Sequence, residues 1–158
     1  VIANGDIDSA EKARAVLMLT GAAGVMIGRA AQGQLWLPGA IASALTAGDK
    51  SARTPVLSEQ LRLQGDHLLR LHAFHGDHLG PRIARKHQAW LLESLTAQQF
   101  ISAEDARAWR QAFNRIESAE AQVTSLRNMT EALMSAVSAN APTSQMPPPM
   151  CPQMLVAA

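Results

Sequence analysis

The sequence predicts an α/β segment that ends a larger parallel sheet or barrel, followed by an all-α bundle. Three observations carry this. Two apolar runs, Val1-Ile2-Ala3 and Gly24-Val25-Met26-Ile27-Gly28, flank one amphipathic stretch. Strand, helix and strand at that spacing make a parallel unit with a crossover helix. Two parallel strands cannot cover their own faces, yet everything after Gly48 reads as helix or tail. The two strands are therefore expected to be the last of a larger parallel sheet or barrel. An apolar run at the first residue, without an initiator Met, adds the expectation of a chain cut from a longer protein. The alternative is a complete small protein with an N-terminal edge strand.

Each element has its own signal. Asn4-Gly5 ends the first strand. Asp8, with Glu11 three residues on, is the expected cap of the crossover helix. Ala13, Val16, Leu17 and Thr20 form its inward stripe, and Gly21 stands where a helix closes. A helix from about Trp36 to Ala47 follows the second strand, with Pro38 in its first turn. The polar stretch to Val56, with Pro55, is a linker. Leu61, Leu68, Leu71 and Phe74 then mark a helix from about Leu57 to His75. Gly76-Asp77 and Gly80-Pro81 bracket a turn. A second helix spans about Pro81 to Leu95, with Ile83, His87, Trp90 and Leu91 on one side. Ser102 and Asp105 offer another capping box. Trp109, Phe113, Ile116, Val123, Leu126, Leu133 and Val137 complete a small antiparallel bundle. Five prolines among Ser, Gln and Met after Ala139 predict a disordered tail.

Composition narrows the function classes. Hydrophobic residues at 47% allow a buried core, built mainly from Ala, Leu, Val and Ile because Tyr is absent. The net charge of +1 implies no nucleic-acid partner, so any such argument must rest on clustering. One cysteine, Cys151, makes neither an internal disulfide nor a cysteine-based zinc site, and fits a reducing compartment. No apolar run spans a bilayer and no secretory signal is visible, so a cytoplasmic protein is expected. His67, His72, His75 and His78 lie close in sequence but lack a helix-borne zinc pattern, so no metal is expected.

Two constellations carry chemistry. Gly28-Arg29-Ala30-Ala31-Gln32-Gly33 follows a strand and precedes a helix. Small residues let a ligand approach the backbone, while N–H groups at a helix start and the Arg29 guanidinium suit a phosphate. In barrel enzymes the loops after the last two strands often hold one. Asn4-Gly5-Asp6 ends the preceding strand on the same rim, so both loops converge if the strands are neighbours. The alternative is that Gly5 and Gly28 serve tight turns and Arg29 is a surface residue. The second constellation is Arg82, Arg85 and Lys86, a cationic stripe on one helix face suited to RNA phosphates. From sequence alone such a stripe is more often an ordinary solvated face. His87 could pack in the core or reach RNA.

Taken in order, VIANGDI (Val1 to Ile7), MIGRAAQG (Met26 to Gly33), RIARKHQAW (Arg82 to Trp90) and FNRIE (Phe113 to Glu117) resemble the tRNA-dihydrouridine synthase family. The bacterial B-type branch is the nearest pattern. The resemblance implies the last two strand–helix units of a (β/α)8 TIM barrel in residues 1–47 and a helical tRNA-binding domain at 58–138; the linker at 48–57 is read from its composition, and the disordered Pro-rich tail at 139–158 lies outside the resemblance. It implies FMN as cofactor, NADPH as reductant and tRNA as partner, in a monomer without membrane or metal. Asn4, Gly5 and Asp6 would belong to the FMN site, and Gly28 and Arg29 would hold its phosphate. Arg82, Arg85 and Lys86 would hold tRNA. The proton-donating cysteine of the family sits on an earlier barrel strand, so no catalytic residue is expected here and the segment alone should be inactive. Gln34-Leu35-Trp36-Leu37 departs from the more usual Arg-Pro-Trp-Ile. Two other readings stay open: an RNA-binding helical module without catalysis, and another FMN barrel acting on a small molecule.

Overall fold

A computed structural model describes residues 1–48 and 52–140. The Pro-rich tail and Cys151 lie outside the described residues.

Strands β1 (Ile2–Asn4) and β2 (Gly24–Met26) pair in parallel, with Ile2 opposite Gly24 and Asn4 opposite Met26. Helix α1 (Ala10–Thr20) is the crossover. Its cap is Ser9, not Asp8: the Ser9 hydroxyl accepts from the Lys12 N–H at 3.3 Å. Glu11 is therefore one position too early for a capping box. Gly21 closes the helix in the left-handed conformation (φ 63°), and its N–H donates to the Leu17 carbonyl at 3.0 Å. The buried stripe is Ala10 and Ala13 with half-buried Val16 and Leu17, whereas Thr20 is exposed and bonds back to the Val16 carbonyl. Small residues on that stripe let α1 lie against α2 (Leu37–Ala47), which carries Pro38 in its first turn. Ile7, Ala13, Leu37 and Ile41 form the core between these layers. Val1 and Ile2, in the first apolar run, are exposed.

Helix α3 (Leu57–Ala97) is a hairpin of two arms, 57–75 and 77–97, broken at Gly76 (φ 72°, ψ 178°). That conformation is open essentially to glycine alone. The reversal is thus confined to one residue, and the expected Gly80-Pro81 turn is helical instead. Pro81 is the fifth residue of the second arm, where its missing N–H withholds a helical bond only from the carbonyl of exposed Asp77. Gly80 marks the crossing of the arms, since a Cβ there would sit 3.1 Å from the His72 Cα. Helices α4 (Ala103–Asn114) and α5 (Ala119–Asn140) pack on the hairpin. Ser102 caps α4 as expected, its hydroxyl accepting from the Asp105 N–H at 3.0 Å.

The bundle core gathers Leu61, Leu68, Leu71, Leu91, Leu92, Leu95, Phe113, Leu126, Met129 and Leu133. Phe74 and Val137 were expected there but are exposed. Phe74 sits beside the hairpin tip and Val137 near the end of α5. Polar ties cross this core. Gln122, fully buried, lies 2.9 Å from His72 Nε2 and donates to the carbonyls of Pro81 (3.0 Å) and Ile116 (3.3 Å). At the open end of the hairpin, Gln60 and Gln98 exchange side-chain hydrogen bonds of 2.9 and 3.1 Å.

Candidate functional site

Parallel pairing of β1 and β2 places their C-terminal ends side by side, so the loops that follow open on the same rim. An open cleft of about 780 Å³ lies there, lined by Asn4, Gly5, Asp6, Gly28 and Arg29 among others. All five residues singled out in the two loops thus come together. Ile7, buried, anchors the first loop, and a short 3₁₀ turn (Arg29–Ala31) follows the second strand. A Cβ added at Gly5 or Gly28 would meet nothing within 4 Å. The backbone there faces open space, which leaves room for a ligand to approach it.

One contact in the cleft was not foreseen. The Arg29 Nη2 donates to the Asp6 carboxylate across the two loops. That hydrogen bond, and then the guanidinium charge, hold the Asp6 carboxyl below its ordinary pKa. Asp6 also takes a left-handed backbone (φ 44°), which Asp tolerates better than most residues. Once the loops are placed on neighbouring strands, opposite charges at their tips are the signal that would have suggested the pair.

The cationic stripe is only partly as expected. Arg82 and Lys86 are exposed, and among the described residues no carboxylate lies within ion-pair distance of either. The Lys86 ammonium sits 4.9 Å from the centre of the Trp90 ring. Arg85 departs from the stripe. It is half-buried and donates to the Ile116 carbonyl at 3.2 Å, with its Nε buried and unpaired. The turn between α4 and α5 captures it, a long-range contact that helical spacing does not encode.

His87 neither enters the core nor stands free. Its Nδ1 lies 3.0 Å from His67 Nε2 on the opposite arm, and its ring meets Trp90 edge-on at 5.1 Å. Burial lowers the pKa of both histidines; for His87 the charges of His67, Lys86 and His75 act in the same direction. Among the described residues no three His, Cys, Asp or Glu side chains gather as a metal site would need. No described helix is long and apolar enough to cross a membrane.

Comparison with known proteins bears on both constellations. The family model described as dihydrouridine synthase matches residues 1–138. The tRNA-dihydrouridine synthase B of Pseudomonas syringae is 48% identical over 127 residues, covering 80% of this chain and 35% of that protein. Its counterpart in Vibrio cholerae is 47% identical over 126 residues, covering 80% and 36%. That of Xanthomonas axonopodis is 43% identical over 137 residues, covering 87% and 39%. The chain therefore spans little more than a third of the length of these relatives. With the match running from the cleft loops almost to the end of α5, the chain belongs to the dihydrouridine synthase family.

Proposed function

We propose that this chain supplies the phosphate end of the FMN site and the tRNA-holding helices of a tRNA-dihydrouridine synthase. In this reading β1 and β2 are the last two strands of a (β/α)8 barrel, and residues 58–138 are the RNA-binding domain. The observation that carries it is the convergence of Asn4, Gly5, Asp6, Gly28 and Arg29 on one open cleft.

The residues fit the group. Arg29 offers a forked cation to a phosphate, and Asp6 occupies one of its nitrogens, orienting the guanidinium while leaving other N–H groups to the ligand. Gly5 and Gly28 keep side chains out of the approach. Asn4, at the tip of β1, presents a side-chain amide that can donate and accept at the rim. Held by Arg29, Gly5 and Gly28, FMN would supply, when bound and reduced by NADPH, the hydride that saturates the C5–C6 bond of a uridine. A proton must also arrive, and family resemblance assigns that to a cysteine outside this chain. Arg82 and Lys86 hold RNA phosphates, and Arg85 braces the α4–α5 turn beside them.

A hybrid tests this. Residues 1–138 replace the matching segment of the Pseudomonas syringae relative, and dihydrouridine is quantified by mass spectrometry of digested tRNA. Product is expected, with flavin retained through gel filtration. Arg29→Ala should lose flavin, by about 1.5–3 kcal/mol of affinity for one charge-assisted contact. A hybrid that folds but binds no flavin and makes no product would overturn the reading.

A further inference from the structure

Gly33 lies at the end of the cleft loop, beyond Arg29, in the left-handed conformation (φ +74°). A Cβ at this position would sit 2.1 Å from the Trp90 carbonyl oxygen, 2.7 Å from its carbon and 3.1 Å from the Ser94 Cβ. The cleft loop and the second arm of α3 therefore meet backbone on backbone. Nothing between them can change rotamer to absorb a shift. Both sides of this seam are stiff. Successive turns, Ala31 to Gly28, Gln32 to Arg29, Gln34 to Ala31 and Leu37 to Gln34, run from the cleft into α2 with N···O distances of 2.9–3.1 Å. On the other side, Trp90 is in mid-helix and carries Lys86 over its ring.

We infer that Gly33 is a positioning residue, whose missing side chain fixes the distance between the phosphate-holding loop and the RNA-facing arm. This rests on the function proposed above. The seam sets where a bound RNA stands relative to the flavin, without touching either. Any side chain at position 33 opens it by more than an ångström before ordinary contact is restored. Misplacement of that size costs about 100-fold in a reaction that depends on near-attack geometry.

Strain and clash are separable, because Gly48 offers a matched control. It has nearly the same φ (+75°), yet a Cβ there meets nothing within 4 Å. In the hybrid enzyme, Gly33→Ala should retain flavin and its reduction by NADPH, and should bind tRNA within about threefold of the parent. Single-turnover formation of dihydrouridine at saturating tRNA should fall about 100-fold. Gly48→Ala should match the parent in every readout. Equal losses in the two variants would overturn the inference, as would an unchanged turnover or loss of flavin in Gly33→Ala. Should the parent hybrid itself make no dihydrouridine, the functional reading fails and the reaction role falls with it. The seam is then judged alone, from the distance between spin labels at positions 42 and 107 of this chain, with Cys151→Ala. Widening in Gly33→Ala but not in Gly48→Ala upholds the seam, and identical distances overturn it.

Discussion

The α/β segment and the helical bundle solve the burial problem differently. The bundle encloses a continuous core reaching from Leu57 to Leu133, crossed by the ties of Gln122 and the Gln60–Gln98 pair, although Gln64 Nε2 and Gln88 Oε1 lie buried without a partner. The α/β segment closes only a small cluster around Ile7 and Ile41, while Val1, Ile2, Met18, Leu19 and Met26 face outward. Yet the segment holds the cleft, and the bundle does not. Stability and candidate chemistry are thus divided between two regions that meet where a loop of one packs on a helix of the other, at Gly33 against Trp90.

The largest expected effect tests this division directly. Phe113→Ala removes a buried ring from the bundle and should cost about 3–5 kcal/mol in denaturant unfolding followed by circular dichroism. Ile41→Ala, equally buried in the segment, should leave the main transition where it is. A shift as large as that of Phe113→Ala would mean the two regions unfold as one. Next comes the polar knot. Gln122→Met strands His72 and two carbonyls inside the bundle and should cost about 1–3 kcal/mol, read in the same assay. A neutral result would show that the knot adds no net stability.

A smaller effect separates surface from brace within the stripe. Replacing Arg82 and Lys86 by Ala should weaken tRNA binding and flatten the slope of log affinity against log salt by roughly two, about one per phosphate contact. Arg85→Ala should change that slope less but lower the melting temperature, because its guanidinium serves the Ile116 carbonyl. Identical slopes for all variants and the parent would return the stripe to an ordinary solvated face. The smallest effect is in pH. Burial holds His67 and His87 below the ordinary value of 6.5, so the unfolded chain takes up protons first as pH falls through it. Stability from this pair is full above about 6.5 and declines as pH drops toward the lowered folded values. Unfolding at pH 7.5, 6 and 5 should show this decline, and His67→Leu with His87→Leu should flatten it. A double variant with an unchanged pH slope would assign the decline to other groups.

What could be read from the sequence was whatever depends on near neighbours. The parallel pair, the Gly21 closure, the Ser102 cap and the arms of the hairpin all follow from short-range pattern. The convergence of two loops followed from placing strand ends on one rim. Contacts set by distant partners were not legible. Arg85 reaches a carbonyl 31 positions away, and Arg29 a carboxylate 23 positions away. Gly33 looked like one more loop glycine until the second arm was set against it. Ser9 displaced Asp8 as a cap because adjacent capping residues compete and spacing alone does not choose between them.

The one-residue break at Gly76 also bears on how the chain acquires its shape. With a single residue between the arms, His72 meets Gly80 and His67 meets His87 at sequence separations of 8 and 20. Little chain entropy opposes such short loops. The ties of α5 to the hairpin enclose longer ones, 41 positions from Gln88 to Met129 and 50 from His72 to Gln122. The hairpin can therefore assemble as a local unit as it leaves the ribosome, before α4 and α5 have been made, and offer them a template. Within the hairpin the contacts are local, which favours rapid formation of that unit. In β1 and β2, by contrast, Ile2 must wait for Gly24 and for the helix between them.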